Sequence, residues 1–237
     1  MKHLLTGEYA GVGEEQVFEA ASLYKLNLMY GAFDLAASGK VKFSDTIVVS
    51  EKAAYYYDDG EPTLLPGQTV SVQKAVECAI AVSDNTCAHA LLEYLPVWAI
   101  NQRLHQLGLT RTEIEEGTRT SAADMLRLLE LIATGRAVSV DASRHMLGML
   151  LAQQVKDRIP FLLPPGIPVA HKTGNLPGIR HDVGIVYGPA GPYIIAVLAD
   201  GLPDYDPARL GEGSRIIAEL SRDVFDYFAG RPSLERR

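Results

Sequence analysis

The 237-residue chain has no apolar run near the ~18 residues that would span a membrane. Its longest such stretch, Tyr193 to Ala199, is strand-sized. Positive charge is in deficit: 22 lysines and arginines stand against 29 aspartates and glutamates, a net charge of −7. That balance disfavours a nucleic-acid partner and promotes solubility. Cysteine is scarce. Cys78 and Cys87 sit nine apart around Ser83, and they read better as two small buried side chains than as a disulfide. The six histidines form no His-Glu-x-x-His group, and no Cys-x-x-Cys is present, so the spacing offers no zinc site. Met1-Lys2-His3-Leu4-Leu5 is too short an apolar opening for a secretory signal.

What remains is an ordinary globular composition, 47% apolar, long enough for one good core or two small interleaved domains. Short extended pieces are expected around residues 9–12 and 16–18. A helix from Ser22 to about Ser38 carries Leu26, Met29, Tyr30 and Phe33 at helical spacing and ends at Gly39. A short strand follows at 45–50. Residues 51–70 read as loop, with turn signals at Asp58-Asp59-Gly60, Pro62 and Pro66-Gly67. Tyr55-Tyr56-Tyr57 lies there, and packing under the loop is favoured over a pocket wall. Helices are expected at about 71–82, 86–94, 97–107, 120–134 and 141–154, so the middle of the chain reads as all helix. After a proline-rich link at 160–168, strands at 169–173, 182–187 and 193–199 suggest antiparallel pairing. A final amphipathic helix covers 211–228, and residues 231–237 are expected to fray.

Three short motifs stand out. Ser22-Leu23-Tyr24-Lys25 opens the first helix and places a hydroxyl and an amine on one face, one turn apart. Serine is a weak nucleophile until a base takes its proton, and a helix N-terminus offers N–H groups to a developing oxyanion. Alone, the pattern is weak: a Ser-x-x-Lys is expected about once by chance in such a chain, and Ser71-Val72-Gln73-Lys74 is a second one. Ser71 reads as an N-cap. Ser83-Asp84-Asn85 falls in a break between helices, where Asp84 and Asn85 would also serve as caps. Lys172-Thr173-Gly174 ends a strand and is followed by Asn175.

The three motifs together, in this order, resemble those of the penicillin-recognising serine hydrolases, most closely the class A β-lactamases. The similarity spans about residues 18–228. Ser22 lies 61 residues before Ser83, as the family pattern requires, and Ser71 does not fit. The resemblance implies an α+β fold of the β-lactamase/transpeptidase type: an antiparallel sheet flanked by helices plus an inserted all-helical block. Residues 1–19 and 166–237 would form the sheet domain and 20–165 the helical domain, with the site in the cleft between. It implies Ser22 as nucleophile, Lys25 as its proton acceptor and Ser83 as the donor to the leaving nitrogen. Asn85 would hold Lys25 and the substrate amide, and Lys172 and Thr173 would bind the substrate carboxylate. Gly174 would let substrate lie against the strand. The N–H groups of Ser22 and Asn175 would form the oxyanion hole. Arg180 resembles a second carboxylate anchor of some relatives; a plain surface arginine is the alternative. His171 and His181 read as packed. No metal or organic cofactor is implied.

Two departures from the family pattern qualify the activity. The glutamate loop of class A enzymes has no room here, since only residues 109–119 separate Gly108 from Thr120. Glu113, Glu115 and Glu116 read as a solvated acidic turn rather than as the deacylating base. The 21 residues before Ser22 are also too few for the family's leading helix and first strand, which would shorten the sheet. Such an uncovered edge invites pairing with a second copy, a homodimer. The expectation is a serine acyl-hydrolase that opens a β-lactam through a Ser22 acyl-enzyme and clears it weakly. The rival readings are a D,D-peptidase, penicillin-binding protein or esterase acting on D-alanyl peptides or esters, and a β-lactam or peptidoglycan-fragment receptor without turnover. The family works outside the cytoplasm, while the chain opens on no export signal.

Overall fold

The computed structural model describes residues 1–55, 61–114, 118–203 and 211–230. In order, these form β1 (Lys2–His3), β2 (Val17–Glu19), a 3-10 turn (Ala21–Leu23), α1 (Tyr24–Ala37), β3 (Thr46–Val48), α2 (Glu51–Ala54), β4 (Thr69–Ser71) and α3 (Val72–Ala81). There follow α4 (Asn85–Tyr94), α5 (Val97–Gln106), β5 (Arg119–Ser121), α6 (Ala122–Ala133), α7 (Val140–Leu151), β6 (Val169–Leu176), β7 (Ile179–Gly188), β8 (Gly191–Ala199) and α8 (Glu212–Phe228).

The sheet is antiparallel in the order β1-β8-β7-β6. Alternation along β8 separates its two faces. Ile194 joins the helical core, while Tyr193 and Ile195 join a smaller core with Ile217 and Phe225 of α8. Helices therefore cover both faces, α6 and α7 on one and α8 on the other. This is the α+β arrangement expected, an antiparallel sheet flanked by helices. At the outer edge β1 reaches only Tyr193 and Ile194. The extended piece expected at 9–12 is a single bridge, Tyr9 to Lys2.

The helical block is built around α1, in which every residue from Tyr24 to Phe33 is buried. It is apolar all round because helices and sheet enclose it. Gly39, at φ +72°, ends it in the left-handed region that favours glycine. Hydroxyl caps start several of the surrounding helices: Ser71 accepts from the Lys74 N–H (3.2 Å), Ser121 from Asp124 (3.1 Å) and Ser139 from Ala142 (3.1 Å). Ser71 is thus engaged as a cap, as expected.

Three expectations need correction. The middle of the chain is not all helix: β2 pairs with β5 and β3 with β4 in two small ribbons, and α2 interrupts the expected loop. β2 and β3 fall on the extended piece expected at 16–18 and the strand expected at 45–50, whereas β4 and β5, three residues each, carry too few alternations to show in sequence. Cys78 and Cys87 form a disulfide, with Cα atoms 6.4 Å apart. The break at 82–84 turns the chain back, so α3 ends beside the start of α4 and the two thiols meet. Tyr55 is 58% exposed rather than packed under its loop. Tyr56, Tyr57, the 58–60 turn, Glu115, Glu116 and residues 231–237 lie outside the described residues.

Candidate active site

Ser22 sits in the 3-10 turn that leads into α1. The first bond of that turn runs from the Leu23 N–H to the Ala20 carbonyl (3.0 Å), so the Ser22 N–H has no acceptor within the turn. Ala21, just before the serine, holds φ +45°. A non-glycine residue there is strained and persists only where its surroundings fix it. Two contacts do so. The Ala20 N–H donates to the Thr118 carbonyl (2.8 Å), and His181 Nε2 donates to the Glu19 carbonyl (2.9 Å). Burial lowers the His181 pKa, against the bonds to the Glu19 and Arg180 carbonyls. Nδ1 lies 2.9 Å from the Arg180 carbonyl and 3.2 Å from the Ala199 nitrogen.

Lys25, one turn beyond Ser22, is fully buried. Its Nζ donates to the Ser83 carbonyl (2.6 Å), to Asn85 Oδ1 (2.6 Å) and, at 3.3 Å, to Ser83 Oγ. The 82–84 break makes this convergence. Ser83 holds φ +61°, and Asp84 caps α4 by accepting the Cys87 N–H (2.7 Å). Asn85 is then the first helical residue, with its amide turned to Lys25. The Cys78–Cys87 bond closes a ring of chain around these three residues.

Lys172 arrives from β6. It is fully buried, and Nζ donates to Ser83 Oγ (2.8 Å) and to the Thr173 carbonyl (2.8 Å). Burial holds its pKa well below the usual lysine range. The Lys25 charge and Arg158 add to that, and Asp182 opposes it. A hydroxyl has two lone pairs and one hydrogen. At Ser83 the Nζ atoms of two lysines address the lone pairs, which leaves the hydrogen for a third partner. Gly174, two residues on, lies against the serine turn: a Cβ there would stand 3.3 Å from the Ala20 carbonyl oxygen and 3.3 Å from Ala21 Cβ. The β6 edge and the serine turn are thus in van der Waals contact. Thr173 is buried and Asn175 exposed.

The structure brings Ser83, Lys25, Asn85 and Lys172 onto one set of hydrogen bonds and sets Gly174 beside the turn that carries Ser22. Arg180 is placed differently. It pairs with Asn175 across the β6–β7 hairpin, its stem lies beside Gly213 of α8, and Nη1 donates to the Leu176 (3.0 Å) and Ile179 (2.7 Å) carbonyls. Glu113 is paired with Arg119 (2.6 Å).

A buried polar layer beneath β6 escaped sequence reasoning. His171 Nδ1 meets Asp182 (3.0 Å), which also accepts the Ile159 N–H (3.0 Å). Arg158, 1% exposed, donates to the His181 carbonyl (3.0 Å) and to Ser214 (3.1 Å). The signal available was the hairpin register, which puts Asp182 opposite Thr173. Among the described residues the one group of metal-ligand type is Cys78, Asp84 and Cys87, whose sulfurs are bonded to each other. No helix among them is long and apolar enough to cross a membrane.

A model of the β-lactamase enzyme family matches residues 1–228. The extended-spectrum β-lactamase PER-1 of Pseudomonas aeruginosa is 23% identical over 239 residues, covering 89% of this chain and 75% of its own. Among solved structures, PBP-A superposes with TM-score 0.88 at 26% identity, over 97% of this chain and 88% of that one. A mutant of PBP-A has been solved as an acyl-enzyme complex with penicillin G. A β-lactamase from Sphaerobacter thermophilus superposes with TM-score 0.85 at 25% identity, over 95% of this chain and 89% of that one.

Proposed function

The chain belongs to the β-lactamase enzyme family and is a serine hydrolase of the class A kind, and from that premise we propose that it opens β-lactam amides through an acyl-enzyme on Ser22. The observation that carries this reading is the shared hydroxyl of Ser83, which accepts from Lys172 at 2.8 Å and from Lys25 at 3.3 Å. In the proposed reaction the Ser22 oxygen attacks the lactam carbonyl and its proton passes to Lys25 in its neutral form. The developing oxyanion is held by the N–H groups of Ser22 and Asn175. As the C–N bond breaks, Ser83 gives its hydrogen to the leaving nitrogen and is re-protonated from the lysines. Lys172 and Thr173 bind the substrate carboxylate, and Asn85 serves both Lys25 and the substrate amide. Arg180 holds the hairpin turn that presents this edge. The site lies between a sheet unit, residues 1–19 and 166–237, and a helical unit, residues 20–165.

Hydrolysis of the acyl-enzyme is the slow step in this scheme. The segment 109–119 is short, Glu113 is paired with Arg119, and a positioned base contributes about 10²–10⁴ in rate. The acyl-enzyme of the PBP-A mutant with penicillin G supports acylation by a β-lactam on this scaffold. The test combines a chromogenic cephalosporin with intact-mass measurement. The expected result is a burst of colour matching one adduct per chain, then slow turnover, with both lost in Ser22→Ala. An adduct that survives Ser22→Ala, or neither adduct nor colour in the unmodified protein, overturns the assignment.

A further inference from the structure

A second concavity lies away from Ser22, behind the Ser83 loop. It measures about 630 Å³ and is walled by Phe33, Phe43, Ala81, Val82 and Met149, with Gly148 of α7 on its lining. That volume falls within the ~300–1,000 Å³ of small-molecule sites. Its aromatic wall is ordered: Phe33 packs edge-on against Phe43 (centroids 4.7 Å) and lies near-parallel to His145 (6.4 Å, 20°). At the rim Lys74 and Glu77 face each other at 3.7 Å, so their charges offset.

Gly148 adds an independent observation. It lies inside α7, where glycine is a poor helix former. A Cβ there would meet no atom within 4 Å, so close packing does not demand the glycine. Gly148 is exposed on the lining, so a large side chain at this position has room to lie over the concavity.

The far wall connects to the catalytic loop. Cys78, Ala81 and Val82 line it, and the next residue is Ser83 with its left-handed backbone. The Ala81 carbonyl accepts the Gln154 N–H (2.9 Å), and the Ile80 carbonyl accepts Gln153 Nε2 (2.7 Å). These bonds tie the end of α3 to the chain after α7, at the edge of the concavity. A guest lodged there would lie against Ala81 and Val82, the residues just before Ser83.

We propose that this concavity is a second, regulatory site for uncharged, flat aromatic molecules of bicyclic size, and that its occupancy alters acylation at Ser22 through the Val82–Ser83 segment. An uncharged guest fits because the walls are apolar and aromatic and the rim charges cancel. The coupling rests on the assignment of Ser22 and Ser83 above; the binding does not.

The probe is indole, set against its charged relatives indoleacetate and tryptamine. Protein-observed NMR titration reads binding without any reference to activity. The expected result is saturable binding of indole, stronger than of either charged relative, with shifts at Val82, Gly148 and Met149. Binding should persist in Gly148→Ala and vanish in Gly148→Trp, whose own indole ring fills the space. Saturating indole should change the acylation rate by about fivefold or more in the unmodified protein, within the usual range of site-to-site coupling, and leave Gly148→Trp unchanged. Absence of binding, or binding undiminished in Gly148→Trp, overturns the site. Binding with an unaltered acylation rate overturns the coupling. A protein that binds indole but is never acylated refutes the Ser22 assignment and with it the coupling, while the site stands.

Discussion

Ser83→Ala isolates the hydroxyl on which the site converges. Ser83 and alanine carry the same left-handed backbone penalty, so the change acts through the oxygen alone. Lys172 loses its 2.8 Å acceptor and keeps the Thr173 carbonyl. Lys25 loses only the 3.3 Å contact and keeps its two 2.6 Å partners, the Ser83 carbonyl and Asn85. The structural loss is therefore one charge-assisted hydrogen bond to a buried ammonium, about 1.5–3 kcal/mol. For a chain of this length that is a fall in Tm of about 3–12 °C, which leaves most of a typical folding stability in place.

The chemical loss is larger. A positioned proton donor contributes about 10²–10⁴ in rate, and Ser83 is the hydroxyl with a hydrogen left to give. Acylation, followed by stopped-flow colour release and by intact mass, should fall by that factor at 25 °C, where the variant is still folded. A variant melting several degrees lower yet acylated within about threefold of the unmodified rate would show Ser83 to be a structural pin between two lysines, and the relay would be wrong.

Lys172→Met should raise the KM for carboxylate-bearing β-lactams by about 10–100-fold, the worth of one charge-assisted bond, with a smaller effect on substrates lacking the carboxylate. The same variant carries a pH signature. Folding holds the Lys172 pKa well below 10.5, chiefly by burial. Between that depressed value and 10.5 the unfolded chain binds a proton that the folded one lacks, so stability rises with pH across the window. Urea melts at stepped pH should show that rise in the unmodified protein and a shallower one in Lys172→Met. Gly174→Val should cut kcat/KM by at least about 10²-fold with the fold retained. Even a Cβ would stand 3.3 Å from Ala20, Ala21 and His181 atoms, and moving β6 displaces Lys172 from the serine turn. Opening the Cys78–Cys87 bond, by a dithiol or as Cys78→Ser, should cost about 2–3 kcal/mol, the closure entropy of a short ring, read as a drop in Tm.

Local signals carried much of this fold into the sequence. The long helices show a 3.6-residue period, and Gly39, Gly108 and Pro96 mark their limits. β8 and the second half of β7 show as apolar runs bounded by glycine and proline, and β6 shows by the turn signals on either side of it. The ribbons of β2 with β5 and β3 with β4 stayed hidden because their partners lie far apart in the chain. The disulfide stayed hidden for a related reason. A spacing of nine suits a buried pair as well as a bridge, and only the reversal at 82–84 decides between them.

The site follows the same division. Its motifs are legible one by one, because a helix start, a helix break and a strand end each have local signatures. Their meeting is decided by register. In the β6–β7 hairpin Lys172 lies opposite Val183, a residue of the helical core, and Thr173 lies opposite Asp182. A slip of one residue would turn the Lys172 side chain to the other face of the sheet and take its Nζ away from Ser83. The turn at Leu176–Ile179 fixes that register, with Gly178 at φ +72° and Arg180 bound to two of its carbonyls. Arg180→Ala therefore tests the register from outside the reacting groups. It should lower kcat for substrates with and without a carboxylate alike, because the whole β6 edge loosens. A loss confined to KM for carboxylate-bearing substrates would instead make Arg180 the anchor that its position in the chain first suggested, and the turn would have to be held by Gly178 alone.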